Sequence, residues 1–586
     1  MIARAFIYLL WDNIPGVIMS EKIPDELYAD LALIKGKIAT MNKNDSIVEA
    51  VACKSEKIIK VGTTEEIKSY IGKHTRVIDL EGKLVTPGFI DSHNHFSWTG
   101  KDVRLVNLRH VHSIDALIEE LRKRAETLPK LCWIEGYGYH ETKLKEKRHP
   151  NRYELDKASI DHPITVTRKG GHDGIRVNSL ALELAGISKD TPDPDPPSFI
   201  ERERDTGEPL GNLREEAAKP VFDLIAKEPG PTRDEMKQGL IEGNKQLLSW
   251  GITSIQEAGA PMDFLPIYKE LIKEGKLQVR NSFLIAAPRI GRSYRRNEGY
   301  NLAVNLSIEA GYSTHFGDNH LKFAGIKLGH DGSMSAGNCA LYEPYLNYPT
   351  PDNYGVVHGY TNEELKDGRA LAEFSPLVIK LQKAGMRCGI GAIGDRGIDF
   401  FLDAIETAHY KDPKPDARHS LEHCSLPTLG ALERMKRLCV NSSTSVGFGW
   451  EFGDQHRGYM GMERMKRYMP MKSFKEMGIV ASGNADWPIC SANVFEGIHV
   501  CVNRTSETGQ DLGQNQAISV MDAIKVYTWN GAYITSEEDI KGSIEEGKLA
   551  DIVILDTDIL TCDPSEIANT KVLTTILDGK IVYQRD

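Results

Sequence analysis

The chain has 586 residues, 40% hydrophobic and 26% charged, which places it among ordinary globular proteins with room for one large domain carrying insertions, or for several. A formal net charge of −11 argues against a phosphate-binding surface, so no nucleic-acid partner is expected. Nine scattered cysteines without a C-x-x-C pair argue against a disulfide scaffold and for a reducing, cytoplasmic setting.

At the start, MIARAFIYLLWDNIPGVIM carries one apolar burst, Ala5–Trp11, ended by Asp12. That burst is shorter than a membrane span and lacks a clear cleavage site. Residues 1–28 therefore read as a peripheral extension, with a weak signal peptide as the alternative. No run of 18 apolar residues follows, so a soluble protein without a membrane partner is expected.

Residues 29–87 read as short strands around Gly-centred turns: ADLALIKGKIATM, AVACKSEKIIKVG and TRVIDLEGKLVTPG. Residues 541–586 repeat that pattern in GSIEEGKLADIVILD and KVLTTILDGKIVYQRD. Each segment is too small for its own core, which predicts one discontinuous β-sandwich built from both. Between them, residues 88–540 alternate apolar runs with helical stretches, as in DALIEELRKRAETL then CWIEGYGY, and TRDEMKQGLIEGNKQLLSWG then ITSIQEA. This predicts an α/β fold, a (β/α)8 barrel enlarged by insertions beyond the typical ~250 residues. The Pro- and charge-rich stretch SKDTPDPDPPSFIERERDTGEPLGNLREE reads as a loop excursion near the ligand.

Four strand ends carry residues suited to metal chemistry. In PGFIDSHNHF, His93 and His95 are two apart, so along a strand both imidazoles share one face and can converge on one ion. An arbitrary H-x-H is more often surface decoration, but this pair follows a strand that leads into the barrel. In FAGIKLGHDGS, Lys327 sits inside an apolar strand, where it is costly unless paired, modified or snorkelling from an edge; His330 and Asp331 follow as further candidates. RHSLEHCS clusters Arg418, His419, Glu422 and His423, although a core or capping histidine usually explains one such residue. In GIVASGNADWPIC, Asp486 follows a strand, and an acid at the C-terminal end of a barrel strand reads as catalytic. His, Lys, His and Asp at four strand ends of one barrel form a metal-hydrolase constellation.

MRCGIGAIGDRG competes with that reading, because Gly389, Gly391 and Gly394 have the G-x-G-x-x-G spacing of a dinucleotide-binding turn. The strand before them is weak, and ~20 residues on lies the loop KDPKPDARH rather than an acid at a second strand end. A nicotinamide or flavin enzyme is therefore disfavoured.

The chain resembles the amidohydrolase superfamily, within it the YtcJ-like group that includes N-substituted formamide deformylases. PGFIDSHNHF, WIEGYGYHETKL, RKGGHDGIRVNSLALELAGI, GITSIQEAG, IKLGHDGSMSAG, AIGDRGIDFFLDAIE, RHSLEH, GNADWP and GKLADIVILD carry the resemblance from about Ala29 onward. It implies a divalent metal, zinc by its ligand types, with His93 and His95 as ligands of the first ion. It implies Lys327 as a strand-four lysine, often carboxylated to bridge two metals, and His423 as a strand-six ligand of the second. Asp486 matches the strand-eight aspartate that binds metal and takes a proton from the attacking water. His172, in GGHDG, matches a substrate-side histidine. Trp133 and Tyr137 read as pocket walls or, more often, as core.

One departure stands out. The family usually reads H-A-I-G-D at the end of strand five, with that histidine a ligand, whereas this chain has Gly391 there. The second metal site is then incomplete unless another group such as His330 or Cys388 fills the gap. The resemblance implies hydrolysis of an amide, N-formyl or N-acyl C–N bond of a small molecule by a metal-activated water. A cyclic-amide hydrolase or deaminase, or a member with impaired activity, is the alternative, and self-association into a homo-oligomer is left open.

Overall fold

The computed structural model describes residues 28–170, 174–194, 198–286, 297–348 and 352–585. The predicted extension thus lies, apart from Tyr28, outside the described residues.

Eight strands make the central sheet: β1 Phe89–Asn94, β2 Ile252–Ala260, β3 Arg280–Ile285, β4 Leu321–His330, β5 Cys388–Ala392, β6 Ser420–His423, β7 Asn441–Thr444 and β8 Ala481–Gly483. Neighbours pair in parallel in chain order from β1 to β8. The sheet curls until its ends meet: Ser92 Oγ donates to the Gly483 carbonyl at 3.1 Å, and His95 N–H to the Trp487 carbonyl at 2.7 Å. This is the predicted (β/α)8 barrel. Its helices read from sequence where capping is explicit. In Arg233–Ser249, for instance, Thr232 and Glu235 close a capping box, and Leu240, Leu247 and Leu248 form the buried face.

The terminal segments build two further sheets. One orders Lys57–Gly62, Ala50–Lys54, Leu31–Ile34 and Arg76–Asp79; the other interleaves Lys37–Ala39, Ile47–Val48 and Leu84–Pro87 with Ile552–Leu555, Val572–Leu577 and Lys580–Gln584. Val85 pairs with Ile554, and Leu33, Val51, Val85, Ile552 and Ile576 share one core between the two sheets. The Arg280 guanidinium, at the start of β3, binds Asp551 and Asp578 and ties this sandwich to the barrel.

Two expectations need correction. Ile134–Tyr139, the CWIEGYGY run, is not a barrel strand. It pairs with Val106–Asn107 and Ile164–Arg168 in a separate six-stranded sheet inserted between β1 and β2, with its own core around Leu117, Ile134 and Val166. The Pro-rich excursion is no mere loop either. Phe199–Arg202 and Pro209–Arg214 form a hairpin at the edge of the same sheet, turned by Asp205-Thr206-Gly207 with Gly207 at φ +72°. Only its residues 195–197 lie outside the described residues.

No helix among the described residues is long and apolar enough to cross a membrane.

Candidate metal centre

His93, His95 and Asp486 converge at the C-terminal mouth of the barrel, each offering one ligand atom within 4.8 Å of the others. His93 is on β1 and His95 just beyond it; Asp486 follows β8 with φ +51°, a left-handed backbone that turns its carboxylate over the barrel axis. Asp486 Oδ1 stands 3.1 Å from His95 Nε2 and 3.3 Å from His93 Nε2. His93 Nε2 and Asp486 Oδ1 are buried without a hydrogen-bonding partner, an arrangement that suits a divalent cation between them. Among the described residues these three form the cluster of metal-ligating groups.

Hydrogen bonds behind the imidazoles set their tautomers. His93 Nδ1 lies 2.5 Å from Glu422 Oε2 and donates to it, so Nε2 carries the lone pair. Glu422 Oε1 accepts from the Ser420 hydroxyl at 2.6 Å. Burial would raise the Glu422 carboxyl, but the His93 hydrogen bond and the Lys327 charge bring it down to about 2. At His423 the Asp486 N–H donates to Asn484 Oδ1, the Ser445 hydroxyl donates to the same oxygen at 2.7 Å, and His423 Nδ1 donates to Ser445 at 2.6 Å. His423 Nε2 is therefore a lone pair as well. Burial holds both imidazoles below their ordinary values, so they are neutral and able to ligate. Burial pushes the Asp486 carboxyl up, but the adjoining His95 imidazole brings it well below the free value, so it is ionised.

The other expected residues divide. Lys327 is half-buried on β4, an interior strand paired on both sides, so the snorkelling edge lysine is excluded; its charge acts on His93, Glu422 and His423. His423 lies at the end of β6 with φ +71°, its ring centroid 4.4 Å from that of His93. His172 lies outside the described residues. Arg418 is turned outward to Asp416 and Glu538. His419 is packed behind the barrel, accepting from Cys388 N–H and facing Gln382, and burial lowers it to about 4. Trp133 packs into the inserted sheet's core, whereas the Tyr137 ring lies under the Arg109 guanidinium at 5.1 Å. Asp331 is structural: its carboxylate accepts from Ile393 and Gly394 N–H at 2.8 Å each and shapes the turn after β5.

The three glycines of the G-x-G-x-x-G run are explained by space. A β-carbon at Gly389 would lie 2.7 Å from Glu422 Oε1, one at Gly391 2.9 Å from His330 Cδ2, and one at Gly394 2.0 Å from the Ala340 carbonyl. Cys388 does not fill the gap at position 391. Its thiol is buried 3.3 Å from His419 Nδ1, on the opposite face of β5, with burial pushing it up to about 12. His330 stands in that room instead.

Gly170, His330, Ser333, His423, Phe448 and Asp486 line a small cavity of about 20 Å³ above the cluster. Gly170 belongs to the inserted sheet's end, so that sheet helps roof the mouth. A larger cavity lined by Met41, Phe474, Ala481 and Trp529 opens at the start of β8, the end of the barrel away from this chemistry. Residues missed in the sequence are Ser445 and Asn484, whose types carry no signal, and Glu257, which accepts from Ser97 N–H, Tyr268 and Asn281 and steadies the loop after β1.

The sequence profile of the Amidohydrolase family matches residues 76–583. N-substituted formamide deformylase of Arthrobacter pascens is 26% identical over 576 residues, covering 95% of this chain and 98% of that protein. Putative amidohydrolase YtcJ of Bacillus subtilis (strain 168) is 28% identical over 568 residues, covering 94% and 98%. The crystal structure of an uncharacterized metal-dependent hydrolase from Pyrococcus horikoshii superposes with a TM-score of 0.69 at 26% identity, covering 91% of this chain and 99% of that one. With its barrel, its His-His-Asp cluster and a match over most of its length, the chain belongs to the amidohydrolase family, hydrolases of carbon–nitrogen bonds other than peptide bonds.

Proposed function

We propose that the chain hydrolyses an amide, N-formyl or N-acyl bond of a small molecule, using one divalent metal, zinc by its donor set, held by His93, His95 and Asp486. The observation that carries this reading is the orphaned pair His93 Nε2 and Asp486 Oδ1, buried and aimed at one point beside His95. When bound, the cation supplies Lewis acidity that acidifies a water. Asp486 Oδ1 faces the imidazoles, which leaves Oδ2 to take the water's proton and return it to the departing nitrogen. Neutral His423 adds a lone pair at the same mouth, and a carbamate on Lys327 would complete a second, bridged position. The similarity to a formamide deformylase supports N-formyl and N-acyl amines as the first compounds to try. All nine cysteines are free thiols, which supports a cytoplasmic setting.

The test is metal per chain by elemental analysis, alongside hydrolysis of a panel of N-formyl amines, N-acyl amines, cyclic amides and aminoheterocycles. About one equivalent of zinc is expected, with cleavage of linear amides lost on chelation and regained on adding zinc. Asp486→Asn should lower kcat by roughly 10²–10⁴. Full activity in chelator-stripped protein would sink the reading. Cleavage confined to cyclic amides or aminoheterocycles would replace the substrate class with the cyclic-amide or deaminase alternative.

A further inference from the structure

The space above the metal ligands is too small for the proposed substrates. It amounts to about 20 Å³, room for about one water, whereas pockets that take small molecules measure about 300–1,000 Å³. Its lining residues His423, Phe448, Phe452 and Ile489 are themselves buried, so a cover closes the mouth of the barrel. That cover has two halves. The inserted sheet contributes Gly170, just beyond its strand Ile164–Arg168; the helix Gly447–Met465, which follows β7, contributes Phe448 and Phe452. They meet at one tight point, where a β-carbon on Gly170 would lie 3.1 Å from Phe452 Cζ.

The residues next to those two hold the halves together. Lys169 Nζ forms an ion pair with Glu451 Oε2, the two side chains only 13% and 8% exposed. Glu451 Oε1 accepts from the Ser491 N–H at 2.6 Å, in the loop that follows Asp486. One carboxylate thus joins the inserted sheet, the helix after β7 and the loop after β8. Lys143 with Glu507 at 2.5 Å, and Arg109 Nη2 with the Pro488 carbonyl at 2.8 Å, cross the same seam nearer the solvent. The closed position also carries a cost. His140 Nε2 is buried without a hydrogen-bonding partner, its ring 5.4 Å from that of Phe452, and the Tyr137 hydroxyl is likewise buried and unpartnered. Beyond Phe452 the helix is interrupted at Gly461, with φ +69° and ψ +161°, which supplies a hinge.

We propose that these two halves are a cover that opens over the metal centre, latched shut by the Lys169–Glu451 ion pair. Substrate enters when the pair parts, and the buried polar atoms of the seam then meet water. Once the cover closes again, bulk water is kept from the reacting bond. This rests on the metal centre being the site of the proposed hydrolysis.

The experiment uses the full-length, zinc-loaded protein with Lys169→Met, which removes the cation and leaves Glu451 on Ser491, and Lys169→Arg, which keeps it. Metal per chain should match the parent in both. Zinc release to an excess of chromophoric chelator, well below the unfolding temperature, should be about tenfold faster or more in Lys169→Met and near parental in Lys169→Arg. With a cleaved amide, kcat/KM for bulky N-acyl groups should rise in Lys169→Met relative to that for small ones. Parental zinc release in Lys169→Met would overturn the latch, including the case in which only its urea midpoint falls, because the pair would then be merely structural. Equally fast release in both variants would also overturn it, since charge would not be what holds the cover. Should Lys169→Met fail to fold, Lys143→Met on the exposed pair decides: release about twofold faster supports the cover, and unchanged release overturns it. If the parent cleaves no amide yet zinc release differs as expected, the substrate reading fails while the cover stands.

Discussion

Glu422 touches no substrate, yet its carboxylate decides which nitrogen of His93 is bare. Removing its charge with Glu422→Gln leaves an acceptor in place but weakens the pull on the Nδ1 proton. Metal affinity should drop roughly 10–100-fold with little change in fold, measured by competition with a chromophoric chelator. Parental affinity in that variant would show that the hydrogen bond is incidental. The cluster of His93, His95 and Asp486 was legible in the sequence because imidazoles and a carboxylate at the ends of barrel strands are costly to shield and seldom stand together without a task. Ser445 and Asn484 were not, because a hydroxyl or an amide is common everywhere and theirs gain meaning only from the cross-strand register that lines them up behind His423.

Gly329 is a bulge between the Leu328–Ile390 and His330–Gly391 pairings of β4 with β5, and it re-aims the end of β4. A β-carbon there would meet Phe401 Cε1 at 2.6 Å on a backbone already left-handed. Gly329→Ala should therefore cost about 2–4 kcal/mol, combining left-handed strain with overpacking, read as a lower urea midpoint at unchanged slope. A midpoint equal to the parent's would mean that β4 can run without its bulge. Bulges leave little trace in sequence, and IKLGHDG reads equally well as an unbroken strand. The inserted sheet escaped for a related reason. DALIEELRKRAETL and CWIEGYGY have the same local periods as a barrel repeat, and only the non-local choice of partner, Val106–Asn107 and Ile164–Arg168, separates them. The barrel and the sandwich were legible because their strand signals recur in an order few other folds share.

Across the whole molecule, Glu537 pins the barrel floor to the C-terminal segment. Its carboxylate binds Lys322 at 2.8 Å, Lys541 at 2.7 Å and the Ser282 hydroxyl at 2.7 Å, all buried or nearly so. Burial pushes this carboxyl up, but the two ammonium groups win and hold it well below the free value. A depressed acid contributes fully above its unfolded value of about 4.3, and that contribution fades as pH falls toward the folded value. Glu537→Gln should be about 3–5 kcal/mol less stable at pH 7, because two cations lose their anion, and the gap should narrow from about pH 4 downward. Chemical denaturation at pH 7 and pH 3 measures it; a gap that stays constant would rule out this ionisation as its source. The discontinuous sandwich has a consequence for how the protein is made. Leu84–Pro87 leaves the ribosome early, but its antiparallel partner Ile552–Leu555 follows only after the entire barrel has been translated. At about 5–20 residues per second, that apolar strand waits on the order of half a minute to a minute and a half with one edge unpaired. The nascent chain therefore needs shelter for its first strands until nearly its last ones emerge, and truncation near the C-terminus should harm solubility before it reaches the chemistry.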